Sequence, residues 1–296
     1  MIKYRNLNYK YDFEEVVALL KTNLNTRHTN EFVSWKHNEN PFGRPLGAVA
    51  VINDKIVGVV FYLRYNFQRK NKDTIRCLRP IDGCTAEIHR GKGILKKLMN
   101  YCLELYNNDY DILIATPNKY SYPEFLKLGW KNLEHRYYYK IGIISPFGIS
   151  KNVSIALSNS KTFINHNLNT HNYFVTSNIP GFFKWRYQDS LDSKYLVKHI
   201  LIDGQSNFVV YHIRNFNGIR YIVLCDFIGD ENEINNIIRF VCKLEKLYII
   251  YYLSNKITDK INFLVKKEQR EARITIREDN AKLDNDIVFS LSDLSL

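Results

Sequence analysis

The chain has 296 residues, enough for one large domain or two of about 150 each, and its 45% hydrophobic content excludes general disorder. Its formal net charge of +12 attracts polyanions, but the basic residues are scattered or in short groups such as Arg69-Lys70 and Lys266-Lys267. With no nucleic-acid-reading signature present, a phosphorylated cofactor or substrate is the expected partner. Five cysteines without a C-x-x-C pair argue against a disulfide framework or a structural zinc. The start Met1-Ile-Lys-Tyr-Arg5 has no apolar signal core, and no apolar run of about eighteen residues occurs. No membrane span and a cytoplasmic protein are expected.

In chain order, Phe13, Val16, Val17, Leu19, Leu20 and Leu24 recur at helical spacing from a start near Asp12. Pro41 and Gly43 close the next segment, which contains Trp35-Lys36-His37. Residues 46–52 and 56–66 are β-rich and separated by Asn53-Asp54-Lys55, a hairpin signal. A third strand is expected over 74–85. It leads into Arg90-Gly91-Lys92-Gly93-Ile94, where two residues without a Cβ let backbone N–H groups converge at the start of a helix. Such a turn holds an anion, most often a phosphate. Ile94, Leu98, Tyr101, Cys102 and Leu105 then mark the buried face of that helix. A short buried strand over 111–116, a short helix over 121–128 ended by Gly129, and an aromatic strand over 132–141 complete an α+β half that is mainly antiparallel.

A boundary is expected near Ser145-Pro146, which gives a first domain over 1–145, a polar linker over 146–172 and a second domain over 173–296. The second half echoes the first. Phe182-Phe-Lys-Trp-Arg-Tyr187 repeats Phe32-Val-Ser-Trp-Lys-His37, and Asp203-Gly204 repeats the hairpin signal Asn53-Asp54 at the same offset of 150 positions. A tandem repeat is therefore expected. After Tyr221-Ile-Val-Leu-Cys-Asp226, however, no glycine turn precedes the helical pattern over 234–247, so only the first half can hold a phosphate in this way.

These residues resemble the GCN5-related N-acetyltransferases (GNAT), and within them the two-domain enzymes that acylate amino sugars for surface polysaccharide. The family's cofactor motif is Arg or Gln, any two residues, Gly, any, then Gly or Ala. Arg90, Gly93 and Leu95 stand at those places, the last a departure. The family's Asn, small residue and Tyr correspond to Asn118, Ser121 and Phe125, ahead of Lys127-Leu-Gly-Trp130. The segment Trp35-Lys36-His37 through Asn40-Pro41-Phe42-Gly43 is similar to the two-domain sugar N-acyltransferases. The resemblance implies tandem GNAT domains, each a mixed, mainly antiparallel sheet flanked by helices, with the second copy degenerate.

It also implies acyl-CoA as cofactor, as acetyl-CoA or a short hydroxyacyl-CoA. The pyrophosphate would lie on the turn Arg90, Gly91, Lys92, Gly93 and Ile94. The pantetheine would run along Cys84, Thr85, Ala86 and Glu87, with one backbone N–H polarising the thioester carbonyl and Asn118, Ser121 and Phe125 opposite. An attacking amine must lose a proton, and Glu87, Asp82 and His37 are the candidate bases. Each also has a plain structural role: a cap for Glu87, an Asx turn with Gly83 for Asp82, a surface residue for His37. Phe125 removes the family's acid, so Tyr122 or Tyr120 takes its place or the thiolate leaves unprotonated, which a thiol pKa of about 8.5 allows. Trp35 and Trp185 are core anchors or walls for an acceptor that Asn40, Arg186 or Tyr187 would contact, Arg186 through its phosphate. The expected reaction is acyl transfer to the amine of a nucleotide-linked (dTDP) deoxy amino sugar. The alternatives are acyl or aminoacyl transfer to a peptide or cell-wall precursor, and a non-catalytic acyl-CoA-binding protein.

Overall fold

A computed structural model describes residues 1–70, 73–107, 109–148, 153–155, 172–278 and 286–295. They form two units. The first takes its described residues from 1–67, 74–132 and 275–278, the second from 68–73, 133–274 and 286–295.

The first unit is a seven-stranded sheet whose strands are β1 (Lys3–Asn6), β2 (Leu46–Ile52), β3 (Lys55–Arg64), β6 (Cys77–Thr85), β7 (Ile112–Ala115), β17 (Thr275–Glu278) and β8 (Lys131–Asn132), in that spatial order. Two-residue strands β4 (Phe67–Gln68), β5 (Thr74–Ile75) and β11 (Val175–Thr176) stand outside the large sheets. Asn53 and Asp54 turn the β2–β3 hairpin with φ +48° and +60°, the two left-handed residues that match strand twist. Helix α1 (Phe13–Asn23) begins after Asp12, α2 (Asn30–Val33) continues into a π-helical turn over Ser34–Asn38, and α4 (Tyr122–Lys127) precedes β8. Helix α3 (Ile94–Glu104) lays Ile94, Leu98 and Cys102 over Ala48, Val60, Leu78 and Leu113. It approaches β3 so closely that a Cβ on Gly58 would stand 3.1 Å from both Ile94 and Leu98.

The second unit repeats this plan. Its sheet runs β10 (Val153–Ile155), β12 (Leu196–Ile202), β13 (Gln205–Phe216), β14 (Ile219–Ile228), β15 (Ile249–Leu253), β9 (Tyr138–Ile143) and β16 (Val265–Glu271). Helix α5 (Ile234–Glu245) covers Ile200, Val209, Ile222 and Ile250. The two Trp-containing segments prove to be the same device, because Lys184–Gln188 is again a π-helical turn. Asp203 and Gly204 again turn the hairpin with positive φ.

Two strands depart from the expected order. The aromatic strand pairs in the second sheet between β15 and β16, where Tyr139 stacks on Tyr251 at 5.7 Å. Thr275–Glu278 returns to the first sheet between β7 and β8. Each strand's alternation is satisfied by either sheet, so periodicity specifies the strand but not its neighbours. The 146–172 segment lies mostly outside the described residues, and within it Val153–Ile155 form β10, paired antiparallel to β12.

Candidate active site

Strands β6 and β7 run parallel and pair over two rungs only, Cys77 with Ile112 and Leu78 with Leu113. Beyond them the ladder stops. On its other side β6 carries a bulge: Val59 faces Cys84 and Phe61 faces Ile81, which leaves Asp82 and Gly83 opposite Val60. Asp82 sits there with φ +47°, a left-handed conformation that Asp tolerates better than most residues. Bulges of this kind re-aim side chains beside active sites.

After Thr85 the chain makes a 3-10 turn over Glu87–His89 and enters the glycine turn. Gly91 and Gly93 have φ +75° and +70°, and an added Cβ on either would meet nothing within 4 Å. The N–H groups of Gly91, Lys92 and Gly93 bond to no described residue, and Gly93 caps α3 without a side-chain acceptor. Open space, unpaired donors and a helix N-terminus therefore meet at one place, with Lys92, Lys96 and Lys97 exposed around it. These residues fit a pyrophosphate. The strand end is more occupied than expected: Ala86 N–H donates to the Val57 carbonyl, and Arg90 Nε donates to the Thr85 carbonyl at 3.2 Å. A further donor at the Thr85 carbonyl would share it with the Arg90 guanidinium.

On the far side Asn118 closes the turn that leads into α4, whose N-cap is Ser121. Asn118 Oδ1 accepts from the N–H groups of Tyr120 and Ser121 and from Ser121 Oγ. Phe125 packs edge-on against Trp130 at 4.9 Å, as part of the core. Tyr122 donates its hydroxyl to Asn132 Oδ1 at 2.8 Å, while Tyr120 is exposed.

The three candidate bases separate clearly. Asp82 Oδ1 accepts from Lys36 Nζ at 2.8 Å and lies 3.4 Å from His28 Nε2, and its Oδ2 accepts from His37 Nε2 at 2.8 Å. Burial alone would raise the carboxyl, but Lys36, His28 and His37 together hold it well below the usual carboxylate range. His37 corrects the surface expectation: it is 0% exposed, packed on Phe61 at 4.2 Å, and its pKa is lowered by burial against the pull of Asp82. Its Nδ1 faces Tyr9 Oη at 3.4 Å. Glu87 is exposed, and its carboxylate makes no hydrogen bond to a described residue. Cys84 is inert as a nucleophile, since burial pushes its thiol up to about 12.

The expected acceptor residues prove structural in their own units. Trp35 and Trp185 are buried against Phe32 and Phe182. Asn40 is buried and uses Oδ1 to accept the Phe42 N–H within its own turn. Arg186 is corrected most firmly: it is 0% exposed, donates from Nη2 to the Ser292 carbonyl at 2.7 Å and lies over the Tyr195 ring. No phosphate fork is presented to solvent. Tyr187 donates to Asp226 Oδ2 and lies 2.8 Å from Ser292 Oγ. Sequence reasoning missed Lys36, His28 and Arg79. For the first, the signal was its place beside His37 in the same turn.

Strands β14 and β15 also pair over only two rungs, and β14 also carries a bulge, at Cys225. Between them the second unit has a cavity of about 60 Å³, lined by Leu224, Phe227, Leu253 and Val288 with the carboxylates of Asp226 and Asp293. Apolar surroundings and the Asp293 charge raise Asp226 to about 7, against the opposing pull of Tyr187 and Arg186. The folded chain therefore holds a proton between about pH 4 and 7 that the unfolded chain releases, so stability falls as pH rises through that window. Asp226→Asn, which cannot ionise, is expected to gain up to roughly 4 kcal/mol relative to the parent above pH 7, less where water wets the cavity. Urea melts at pH 5 and pH 8 read this, and an equal shift at both pH values rules it out.

The acetyltransferase (GNAT) domain model matches residues 3–132. No curated protein matches the chain in sequence. Among solved structures the chain is similar to a GCN5-related N-acetyltransferase from Anabaena variabilis, with 12% identity, a TM-score of 0.70 and coverage of 94% of this chain and 73% of that one. It is also similar to a probable N-acyltransferase from Enterococcus faecalis, with 9% identity, a TM-score of 0.72 and coverage of 94% and 72%. A third is N-myristoyltransferase from Saccharomyces cerevisiae, with 11% identity, a TM-score of 0.55 and coverage of 95% and 80%. At such identities the likeness speaks for the fold, and the domain match over the glycine turn speaks for the chemistry. Residues 3–132 thus carry an acetyltransferase (GNAT) domain, and with it the chain has the chemistry of an acyl-CoA-dependent acyltransferase.

Proposed function

We propose that the chain acylates the amine of a small acceptor, with a nucleotide-linked deoxy amino sugar such as a dTDP sugar as the acceptor class and surface polysaccharide as its destination. The observation that carries the reading is the open glycine turn beside the splayed strands of the first unit, which has no counterpart before α5. Acyl-CoA supplies an acyl group already activated as a thioester. The chain's part is to hold the pyrophosphate on the N–H groups of Gly91 to Ile94 and to place the acyl end in the opening between β6 and β7. Of the three candidate bases, Glu87 alone has an exposed and unengaged carboxylate, so it receives the amine proton directly or through water. Asp82 and His37 instead fix the bulge from within.

The test incubates the protein with acetyl-CoA or a hydroxybutyryl-CoA and a panel of amines: a nucleotide-linked amino sugar, amino acids and short peptides. Free thiol and the mass of the product are read. We expect thiol release that depends on the amine, highest with the nucleotide sugar, and lowered at least tenfold by Glu87→Gln. CoA binding without transfer to any amine would leave only a cofactor-binding protein. Transfer to peptides in preference to sugars would replace the acceptor class.

A further inference from the structure

Arg79 is the first residue of β6 past the last rung it shares with β7, so it stands at the closed end of the opening. It is 2% exposed. Its Nη2 donates to Thr116 Oγ1, just beyond the end of β7, at 3.2 Å, so the guanidinium bridges the two diverging strands. One face lies over the Tyr65 ring at 4.9 Å. Nη1 is buried without a hydrogen-bond partner, and no carboxylate among the described residues pairs with the charge.

That arrangement differs from the chain's other buried charges of the first unit. Lys36 is answered by Asp82 at 2.8 Å, whereas Arg79 has an aromatic face and one neutral hydroxyl. A guanidinium stays charged at every working pH and is costly to bury without an anion. The Thr116 bond and the ring hold its plane fixed, which leaves the Nη1 edge for a planar acceptor with two oxygens.

We infer that Arg79, fixed by Thr116, is a carboxylate-binding residue at the closed end of the first unit's strand opening, and that one of the two substrates carries that carboxylate. The inference rests on the acyl-CoA reading above and adds a substrate class to it. The carboxylate belongs either to a dicarboxylic acyl group or to an amino acid-like acceptor, and two arms separate them.

In the first arm, calorimetry on the full chain compares succinyl-CoA with butyryl-CoA, which has the same carbon count without the carboxylate, and with CoA alone. In the second, kcat/KM by thiol release compares β-alanine with β-alaninamide as acceptor. We expect one pair to favour the carboxylate form at least tenfold. Arg79→Met should shrink that preference to less than twofold while the affinity for CoA alone changes less than twofold. Because the variant removes an unanswered buried charge, it should also melt at or above the parent. Thr116→Val, which frees the guanidinium, should cut the preference about threefold and keeps the test decidable if Arg79→Met does not fold. No preference in either pair, or a preference that survives Arg79→Met, overturns the proposal. So does a lower melting temperature with the preference intact, which makes Arg79 a packing residue. If CoA alone fails to bind the parent chain, the acyl-CoA reading falls first and this proposal with it.

Discussion

Gly93→Asp is expected to lower the affinity for acyl-CoA at least about 100-fold, a loss of roughly 3 kcal/mol, while leaving the melting temperature within a few degrees of the parent. The two halves of that expectation come from the same geometry. Gly93 has φ +70°, which a residue with a Cβ adopts at a cost of about 1 kcal/mol, least for Asn and Asp. Nothing lies within 4 Å of the added Cβ, so the fold meets no clash. A carboxylate just before Ile94 also faces the positive end of α3, which repays part of the backbone cost. What suffers is the ligand, because the new charge occupies the place where a phosphate would meet the unpaired N–H groups. Gly204→Asp is the control: φ is +78° and the surroundings are equally open, but the position turns the second unit's hairpin. Calorimetry with CoA separates them. Equal losses for the two variants, or full affinity in Gly93→Asp, would move the cofactor away from this turn.

Why this turn could be read from the sequence and its neighbours could not is a matter of range. Glycine at positions 91 and 93, a basic residue before them and the apolar spacing of Ile94, Leu98 and Cys102 are local, and each forces the same backbone. The hairpins at Asn53-Asp54 and Asp203-Gly204 were legible for the same reason, as was the repeat of the Trp segments. Lys36 and His37 reach Asp82 across 46 and 45 positions. No spacing rule connects them, and His37 reads equally well as a surface residue until Phe61 covers it. Arg186 shows the reverse error. An Arg beside Trp has the chemistry of a phosphate fork, but the Ser292 carbonyl and the Tyr195 ring already occupy it. Strand partners were equally hidden, since Tyr138–Ile143 has the alternation of any half-buried strand.

Asp82→Ala is expected to destabilise the protein by about 3 to 5 kcal/mol, the usual cost of removing one partner from a buried ion pair. Lys36 would be left charged at 7% side-chain exposure without its acceptor, and His37 would lose the bond that fixes its ring. The bulge adds a backbone term, because Ala tolerates φ +47° less well than Asp. Asp82→Asn keeps the shape and the left-handed tolerance but not the charge, and should lie between Ala and the parent. The pH dependence identifies the cause. The unfolded carboxyl titrates near 4, whereas the folded one is held well below by Lys36 and the two histidines. Its stabilisation is therefore complete above about pH 4 and is lost as pH falls further. His37 acts earlier: folded, it stays neutral because burial lowers its pKa, while the unfolded chain takes up a proton below about 6.5. Acid should thus weaken the parent in two stages, the first near pH 6 and the second below pH 4. Asp82→Ala should lack the second stage, so its deficit should shrink as pH drops toward 3. Urea titrations at pH 7, 5 and 3.5 measure this, and a deficit that stays constant across them would mean that packing, and not the carboxylate's charge, holds the bulge in place.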